Sequence, residues 1–293
     1  KDPDILESGL KQFATGDDTD GDGLDDSIDA NAGWGTVNND ENGQTSYRDS
    51  DFNGIKDYRE AYTPLSCAAY GYIVNDSISK WTTLNLVDGT SDTSNDLVND
   101  KINATGYNRT DDRIWGVKLP IDGRLTITTQ NAAGDWITVL TPPIPGLPTT
   151  SAYFTGDIDQ NGIMYLTTGS NTEQKIHKVD VNPESTTYLT YLGETAFSGV
   201  FDGINNKFLL FDWAFNAVGD SMYTVAKNGI DNVMHLYVIN PANGFITDLG
   251  PTGIPSATYG SIFIDASGFL YAVDNGNEDT FVNVVIGNCA GLN

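Results

Sequence analysis

The chain has 293 residues, 39% of them apolar, so it is long enough to bury a large core beside a small appendage. Its 40 acidic and 15 basic residues leave a net charge of −25, which disfavours nucleic acid and anionic membrane surfaces as partners. Glycine and tyrosine are plentiful and no apolar run reaches membrane-spanning length, so we expect strands joined by tight turns and no membrane insertion.

The first 16 residues form an N-terminal tail, and the start at Lys1 is typical of a processed end. Residues 4–15 contain too few apolar side chains to fold alone. Inserted along an open sheet edge of the next molecule, this segment would act as a donor strand and pair with unsatisfied backbone groups. Such head-to-tail contacts between copies of the chain would generate a filament if they do not close. A frayed terminus is the alternative.

Residues 17–62 contain two twelve-residue stretches with oxygen-bearing side chains at the spacing of a calcium loop. Both have a glycine at the sixth position, where the loop turns sharply, and an acidic residue at the twelfth. Alternate residues of such a loop point their oxygens inward, as Ca²⁺ coordination requires. A solvated acidic linker is the alternative. The predicted Ca²⁺ ligands are Asp18, Asp20, Asp22, Leu24, Asp26, Asp29, Asp49, Asp51, Asn53, Ile55, Asp57 and Glu60, with Leu24 and Ile55 acting through their carbonyls.

The stretch Asp-Thr-Asp-Gly-Asp-Gly-Leu-Asp-Asp, residues 18–26, resembles a thrombospondin type 3 repeat, a calcium-filled spacer common in bacterial surface proteins. The resemblance covers residues 15–62 and implies an extended segment stabilised by structural calcium. The second loop departs from the repeat because it has Phe52 and Asn53 where glycine and aspartate are usual.

From Cys67 onward a unit recurs in which a strand, a polar turn and a second strand with an aromatic residue follow one another. The period of about 45–55 residues and the four alternating strands in most units predict an all-β fold, a β-propeller of about five to six four-stranded blades over residues 67–293. The opening unit, residues 70–98, has no clear first strand, so at least one blade is expected to be a strand short. The aromatic anchors are Trp115, Tyr165, Tyr223 and Tyr271.

Three stretches resemble a propeller-like domain of unknown function found in large bacterial surface and adhesin-type proteins. They are Ile-Asn-Ala-Thr-Gly-Tyr-Asn at 102–108, Asp-Trp-Ala-Phe-Asn at 212–216 and Leu-Tyr-Val-Ile-Asn-Pro-Ala-Asn-Gly at 236–244. The resemblance covers residues 67–289 and implies the fold and a place on the bacterial cell surface or outside the cell. It assigns no catalytic residue.

Cys67 and Cys289 are the two cysteines, and they bracket the predicted propeller. A disulfide between them would stabilise the fold by roughly 5 kcal/mol in the chain-entropy model, whereas two free thiols are the alternative. Asn75, Asn103 and Asn108 begin Asn-x-Ser/Thr sequences and are candidate glycosylation sites.

The sequence contains no recognisable arrangement of catalytic residues. His177 and His235 occupy similar places in successive units, which favours packing roles. Asp157 and Asp159 resemble half a calcium loop, for which a polar turn is the alternative. We therefore expect a protein that is not an enzyme.

Two tryptophans, Trp81 and Trp136, lie in outer-strand patterns and are candidates for an exposed ligand face. The leading hypothesis is a structural subunit of a bacterial surface fibre or adhesin. The second is a carbohydrate- or peptide-binding propeller on a calcium-stiffened stalk. The third is an extracellular enzyme such as a polysaccharide lyase, which would need a basic or Tyr/His cluster.

Overall fold

The computed structural model describes residues 62–63, 70–75, 80–85, 90–96, 101–119, 122–131, 136–149, 152–168, 175–199, 210–265, 268–274 and 281–284. The chain divides into two compact units, Lys1–Thr63 and Pro64–Asn293. The described part of the first unit is the short strand β1 (Tyr62–Thr63). In the described ranges there is no helix with the length and hydrophobicity needed to cross a bilayer.

The second unit contains five sheets that follow one another along the chain. The first sheet comprises β2 (Tyr70–Asn75), β3 (Lys80–Asn85) and β4 (Ser91–Asp96). The second comprises β5 (Lys101–Asn108), β6 (Arg113–Leu119), β7 (Leu125–Asn131) and β8 (Trp136–Leu140). The third comprises β9 (Tyr153–Ile158), β10 (Ile163–Thr168), β11 (Lys175–Asp180) and β12 (Thr190–Ala196).

The fourth sheet contains β14 (Ala214–Phe215), β15 (Met222–Lys227), β16 (Met234–Ile239) and β17 (Phe245–Pro251). A two-residue strand, β13 (Ser198–Gly199), pairs with β17 in parallel at its outer edge. The fifth sheet comprises β18 (Tyr259–Ile264), β19 (Leu270–Asp274) and β20 (Phe281–Val284). Apart from β13, sequential strands in each sheet pair antiparallel, as short polar turns between alternating strands dictate.

Apolar side chains from neighbouring sheets form the core, so each sheet covers the face of the next. The middle strands β6, β10, β15 and β16 are buried almost continuously, because both of their faces are covered. The outer strand β12 instead alternates between exposed and half-buried side chains. Three core clusters lie between the second and third, third and fourth, and fourth and fifth sheets. The architecture is that of a propeller-like succession of sheets.

The first strands of successive sheets lie side by side at the centre, and glycines permit their close approach. A Cβ atom on Gly156 would lie 2.6 Å from the carbonyl oxygen of Ala104, and one on Gly106 would lie 2.8 Å from the Cα of Asp157. Gly71 of β2 faces Phe263 of β18, where a Cβ would lie 2.8 Å from the ring. The first and fifth sheets therefore meet, but in the described residues they share no strand.

The expected all-β, propeller-like fold is confirmed, and the second, third and fourth sheets contain the four strands that their units predict. One detail of the prediction was wrong. The opening sheet does have an inner strand, because β2 contacts β5, the inner strand of the second sheet. Among the described residues, the strand that this sheet lacks is an outer one, beyond β4. β2 is short and contains a glycine, so its sequence did not mark it as an inner strand.

Candidate functional site

An Asn or Asp side chain closes the hairpin between the first and second strands of four sheets. Asp159 Oδ1 accepts hydrogen bonds from the backbone N–H groups of Asn161 and Ile163, both at 2.9 Å. The Tyr165 hydroxyl lies 3.5 Å from Asp159 Oδ2. Asp159 is thus committed to a polar turn, the alternative to the half calcium loop. The corresponding residues in the other sheets are Asn108, Asn216 and Asp265.

Asp157 joins the inner strand of the third sheet to that of the fourth. Its Oδ2 accepts a hydrogen bond from the Phe215 N–H and its Oδ1 accepts one from the Ile158 N–H, both at 2.8 Å. The residue as a whole is half-buried, but protein atoms surround its carboxylate. Burial raises the pKa of Asp157 to about 7, although both N–H groups and the nearby Arg109 lower it. The carboxyl group therefore titrates near neutral pH.

Asp212 makes the equivalent connection between the fourth and fifth sheets. Its Oδ2 accepts a hydrogen bond from the Ile262 N–H at 2.6 Å, and its backbone oxygen accepts one from Thr224 Oγ1 at 2.6 Å. Burial raises the pKa of Asp212 well above its usual value, and the neighbouring charge of Asp157 raises it further. The carboxyl groups of Asp157 and Asp212 thus connect neighbouring sheets by accepting hydrogen bonds from backbone N–H groups.

His177 and His235 lie at matching positions on the third strands of the third and fourth sheets, as their spacing indicates. Opposite each, the outer strand contains a β-bulge next to a glycine in the left-handed region, Gly193 (φ 101°) or Gly250 (φ 102°). The two histidines nevertheless have different partners.

His177 is buried among aromatic rings. Its Nδ1 lies 2.9 Å from the Tyr191 hydroxyl, and its ring contacts Tyr153 edge-to-face at 5.4 Å. Burial lowers the pKa of His177. Lys175 forms an ion pair with Glu194, so this region brings a basic side chain close to the kind of Tyr/His cluster that the lyase hypothesis requires. Burial raises the pKa of Tyr191, so its hydroxyl stays protonated at neutral pH beside His177.

His235 lies between two carboxylates. Its Nδ1 is 2.8 Å and 2.9 Å from the two oxygens of Asp248, and its Nε2 is 2.8 Å from Asp231 Oδ2. Asn228 Nδ2 donates a hydrogen bond to Asp248 Oδ2 at 3.0 Å. These hydrogen bonds connect the turn between β15 and β16 to the outer strand β17.

Most of the residues predicted as sites lie outside the described part of the chain. These are the tail and the cysteines Cys67 and Cys289, together with the predicted calcium ligands Asp18, Asp20, Asp22, Leu24, Asp26, Asp29, Asp49, Asp51, Asn53, Ile55, Asp57 and Glu60. Among the residues that are described, no group of three or more His, Cys, Asp or Glu side chains is arranged to hold a metal ion.

The candidate glycosylation sites differ in their surroundings. Asn108 is fully buried, and its Nδ2 donates a hydrogen bond to the Val181 carbonyl at 2.9 Å. A glycan on that nitrogen would have no space, so Asn108 is corrected from a candidate acceptor to a structural residue. Asn103 is half-buried in β5, where its Oδ1 accepts a hydrogen bond from the Ala104 N–H. Asn75 lies at the end of β2, and its side chain is outside the described residues.

Of the two tryptophans of the candidate ligand face, the structure describes the side chain of one. Trp81 lies in β3, but its side chain is outside the described residues. Trp136 is half-buried, and its ring meets the ring of Tyr72 edge-to-face at 5.6 Å. It therefore contributes to packing between the first and second sheets as well as to the surface. Sequence reasoning did not predict that Asp157 and Asp212 connect neighbouring sheets, although Asp212 begins the stretch at 212–216.

The fold and these sites define an all-β, propeller-like protein in which Asp157 and Asp212 connect neighbouring sheets and Asp159 and Asp265 close turns. The chain matches the family described as "Repeat of unknown function" (DUF6923) over residues 82–293, which is well over half of its length. It belongs to this family. This confirms the expected propeller-like repeat of unknown function. No curated protein matches the chain.

Several solved structures match the chain at low identity. One is the nidogen/laminin complex, with 15% identity and a TM-score of 0.42, covering 70% of this chain and 68% of that chain. A gluconolactonase from Xanthomonas campestris has 14% identity and a TM-score of 0.39, covering 71% of this chain and 70% of that chain. Hydrazine synthase of Kuenenia stuttgartiensis has 10% identity and a TM-score of 0.39, covering 75% of this chain and 59% of that chain.

Proposed function

We propose that the chain is a non-enzymatic extracellular structural protein, a subunit of a bacterial surface fibre or adhesin joined head-to-tail through its N-terminal segment. The uneven strand count of the sheets carries the proposal. In the first sheet, no strand among the described residues pairs with the outer edge of β4. Only residues 97–100 separate β4 from β5, too few to supply another strand. In this proposal a fourth strand is added at the outer edge of β4, either from elsewhere in the chain or from another copy.

The fold already accepts an added strand at another outer edge. Ser198 and Gly199 of β13 pair with Phe245 and Ile246 of β17, although β13 does not belong to the meander of that sheet. Gly199 has a φ of 100°, and a Cβ there would lie 2.3 Å from the carbonyl oxygen of Ile246. This close pairing supports strand addition as a mode of contact that these sheets tolerate.

The charged groups support a structural role rather than a catalytic one. Asp157 and Asp212 accept backbone N–H groups from the next sheet, and Asp159 closes a turn. Their hydrogen-bonding capacity is directed at the fold itself. In this proposal the acidic residues 17–62 bind Ca²⁺ and stiffen the segment that connects the donor residues 4–15 to the rest of the chain, and the donor residues pair with a neighbouring copy.

The test uses the full-length protein with calcium and compares two variants of one tail position. Leu10→Pro removes a backbone N–H from the donor segment, whereas Leu10→Val keeps it and favours a strand. We expect light scattering to show concentration-dependent assembly for the wild type and for Leu10→Val, and monomers for Leu10→Pro. A wild-type protein that stays monomeric at high concentration would contradict the proposal.

A second candidate function is carbohydrate or peptide binding. Phe154 and Phe211 occupy matching repeat positions at the centre and are 46% and 40% exposed. They are neighbours, because Thr155 Oγ1 donates a hydrogen bond to the Phe211 carbonyl at 2.8 Å. Exposed aromatic rings of this kind can serve as a platform for a ligand. Glycan-array binding that is lost in Phe154→Ala, but retained in Trp136→Ala, would favour this function over assembly alone.

A further inference from the structure

The surroundings of His235 fix its protonation state by geometry. Both ring nitrogens lie 2.8–2.9 Å from oxygens of Asp231 and Asp248, and the residue is only 7% exposed. An ionised carboxylate can only accept hydrogen bonds, and a neutral imidazole carries a single N–H. A neutral ring would therefore leave one nitrogen lone pair facing a carboxylate. Only the imidazolium form, with two N–H donors, satisfies both partners.

Each element around the ring contributes a defined group. The turn supplies Asp231, β17 supplies Asp248, and β16 supplies Tyr237, whose ring stacks on the imidazole at 6.2 Å. Asn228, the first residue after β15, has its Nδ2 atom 3.4 Å from His235 Nδ1, and β15 ends at the exposed Lys227. Burial lowers the pKa of His235, but the hydrogen bonds and charges of Asp248 and Asp231 outweigh burial and leave the pKa raised.

The turn of residues 228–233 depends on polar contacts for its shape. Its apolar side chains Ile230 and Val233 are 76% and 44% exposed, so they pack little against the core. Its amides are held locally, since the Ile230 N–H donates to Asn228 Oδ1 and the Val233 N–H donates to Asp231 Oδ1. Asn228 and Asp231 are the residues that the His235 network connects to Asp248. Weakly packed segments of this kind open at low free-energy cost unless something fixes them.

We propose that His235 is a pH-sensitive lock, which holds the turn of residues 228–233 against β17 while doubly protonated and releases it when one ring proton is lost. Loss of one ring proton leaves either Asp231 or Asp248 facing a nitrogen lone pair, so that contact breaks and the turn, with its exposed Ile230, moves away from β17. His177 is the internal contrast. Its Nδ1 lies 2.9 Å from the Tyr191 hydroxyl, which can donate as well as accept, whereas the Glu194 carboxylate is 3.9 Å from that nitrogen, so a neutral ring is satisfied there.

The test is an NMR titration of the two histidine rings in the full-length protein, with His177→Gln to assign them. His235 should remain charged to a higher pH than His177. In parallel, hydrogen exchange at the Ile230, Asn232 and Val233 amides is corrected for intrinsic rate. Protection should fall about tenfold as His235 deprotonates, as expected for losing a charge-assisted hydrogen bond. The Ala242 and Gly244 amides, held by Asn240 in the next turn, are the control.

Asp231→Asn is the matched variant, because it removes one carboxylate charge at an exposed position. It should move both the His235 titration and the loss of protection to lower pH. A neutral His235 at pH 6 would overturn the proposal. So would protection of the turn that stays constant through the His235 titration, or an Asp231→Asn variant in which neither quantity moves.

Discussion

The carboxyl group of Asp157 predicts an unusual dependence of stability on pH. Burial raises its pKa from 3.8 to about 7 in the folded protein, so the folded state binds more protons than the unfolded state between these values. The stability contributed by this group is present below the unfolded pKa and is lost as pH rises through the folded one. At about 1.4 kcal/mol per pKa unit, the full loss is about 4 kcal/mol. Of this, about 2–3 kcal/mol falls between pH 5 and pH 8.

Asp157→Asn separates charge from hydrogen bonding. At pH 5 the variant should be less stable than the wild type by about 1–3 kcal/mol, because one amide oxygen replaces two carboxyl oxygens that accept from Ile158 and Phe215. At pH 8 the wild type bears the cost of a buried charge and the variant does not. The difference should therefore shrink by about 2–3 kcal/mol.

Urea unfolding followed by tryptophan fluorescence at pH 5, 6.5 and 8, in constant calcium, measures this difference directly. Asp122→Asn is the control, since the Asp122 side chain is 45% exposed beside Arg124. Its difference from the wild type should stay constant with pH. A constant difference for Asp157→Asn as well, or one that widens toward pH 8, would refute the buried-charge reasoning.

Three further outcomes follow from packing and titration. Gly156→Ala should lower the free energy of unfolding by about 1–3 kcal/mol, measured in urea, because the new Cβ meets backbone atoms of Ala104. Gly71→Ala should lower it by less, because its Cβ meets the Phe263 ring, which can move. Trp115→Ala should cost about 3–5 kcal/mol by the same assay, and the half-exposed Trp136→Ala clearly less. Because burial lowers the pKa of His177, its contribution is lost on acidification, so His177→Gln should flatten the fall in melting temperature below pH 6.5.

The parts of the fold that the sequence predicts are those with local causes. The aromatic anchors Tyr165 and Tyr271 follow an aspartate by six residues, and in each case the hairpin turn is closed by that aspartate. Turn chemistry, strand alternation and period are all encoded within a few residues of one another. For this reason the strands of the middle sheets were predictable without a structure.

The sites depend on contacts between distant parts of the chain, which composition and spacing do not reveal. Asp157 and Phe215 are 58 residues apart, and Asn108 and Val181 are 73 apart. Asn108 reads as a glycosylation sequon, although the next sheet buries it. The matching positions of His177 and His235 were predictable, whereas their opposite pKa shifts were not, because these come from partners on the outer strands.

The assembly account is tested most directly by electron microscopy of the full-length protein at high concentration, with calcium and then with a chelator. We expect filaments of regular repeat in calcium, which dissociate into single particles when the ion is removed. Isolated particles of one size under both conditions would contradict it.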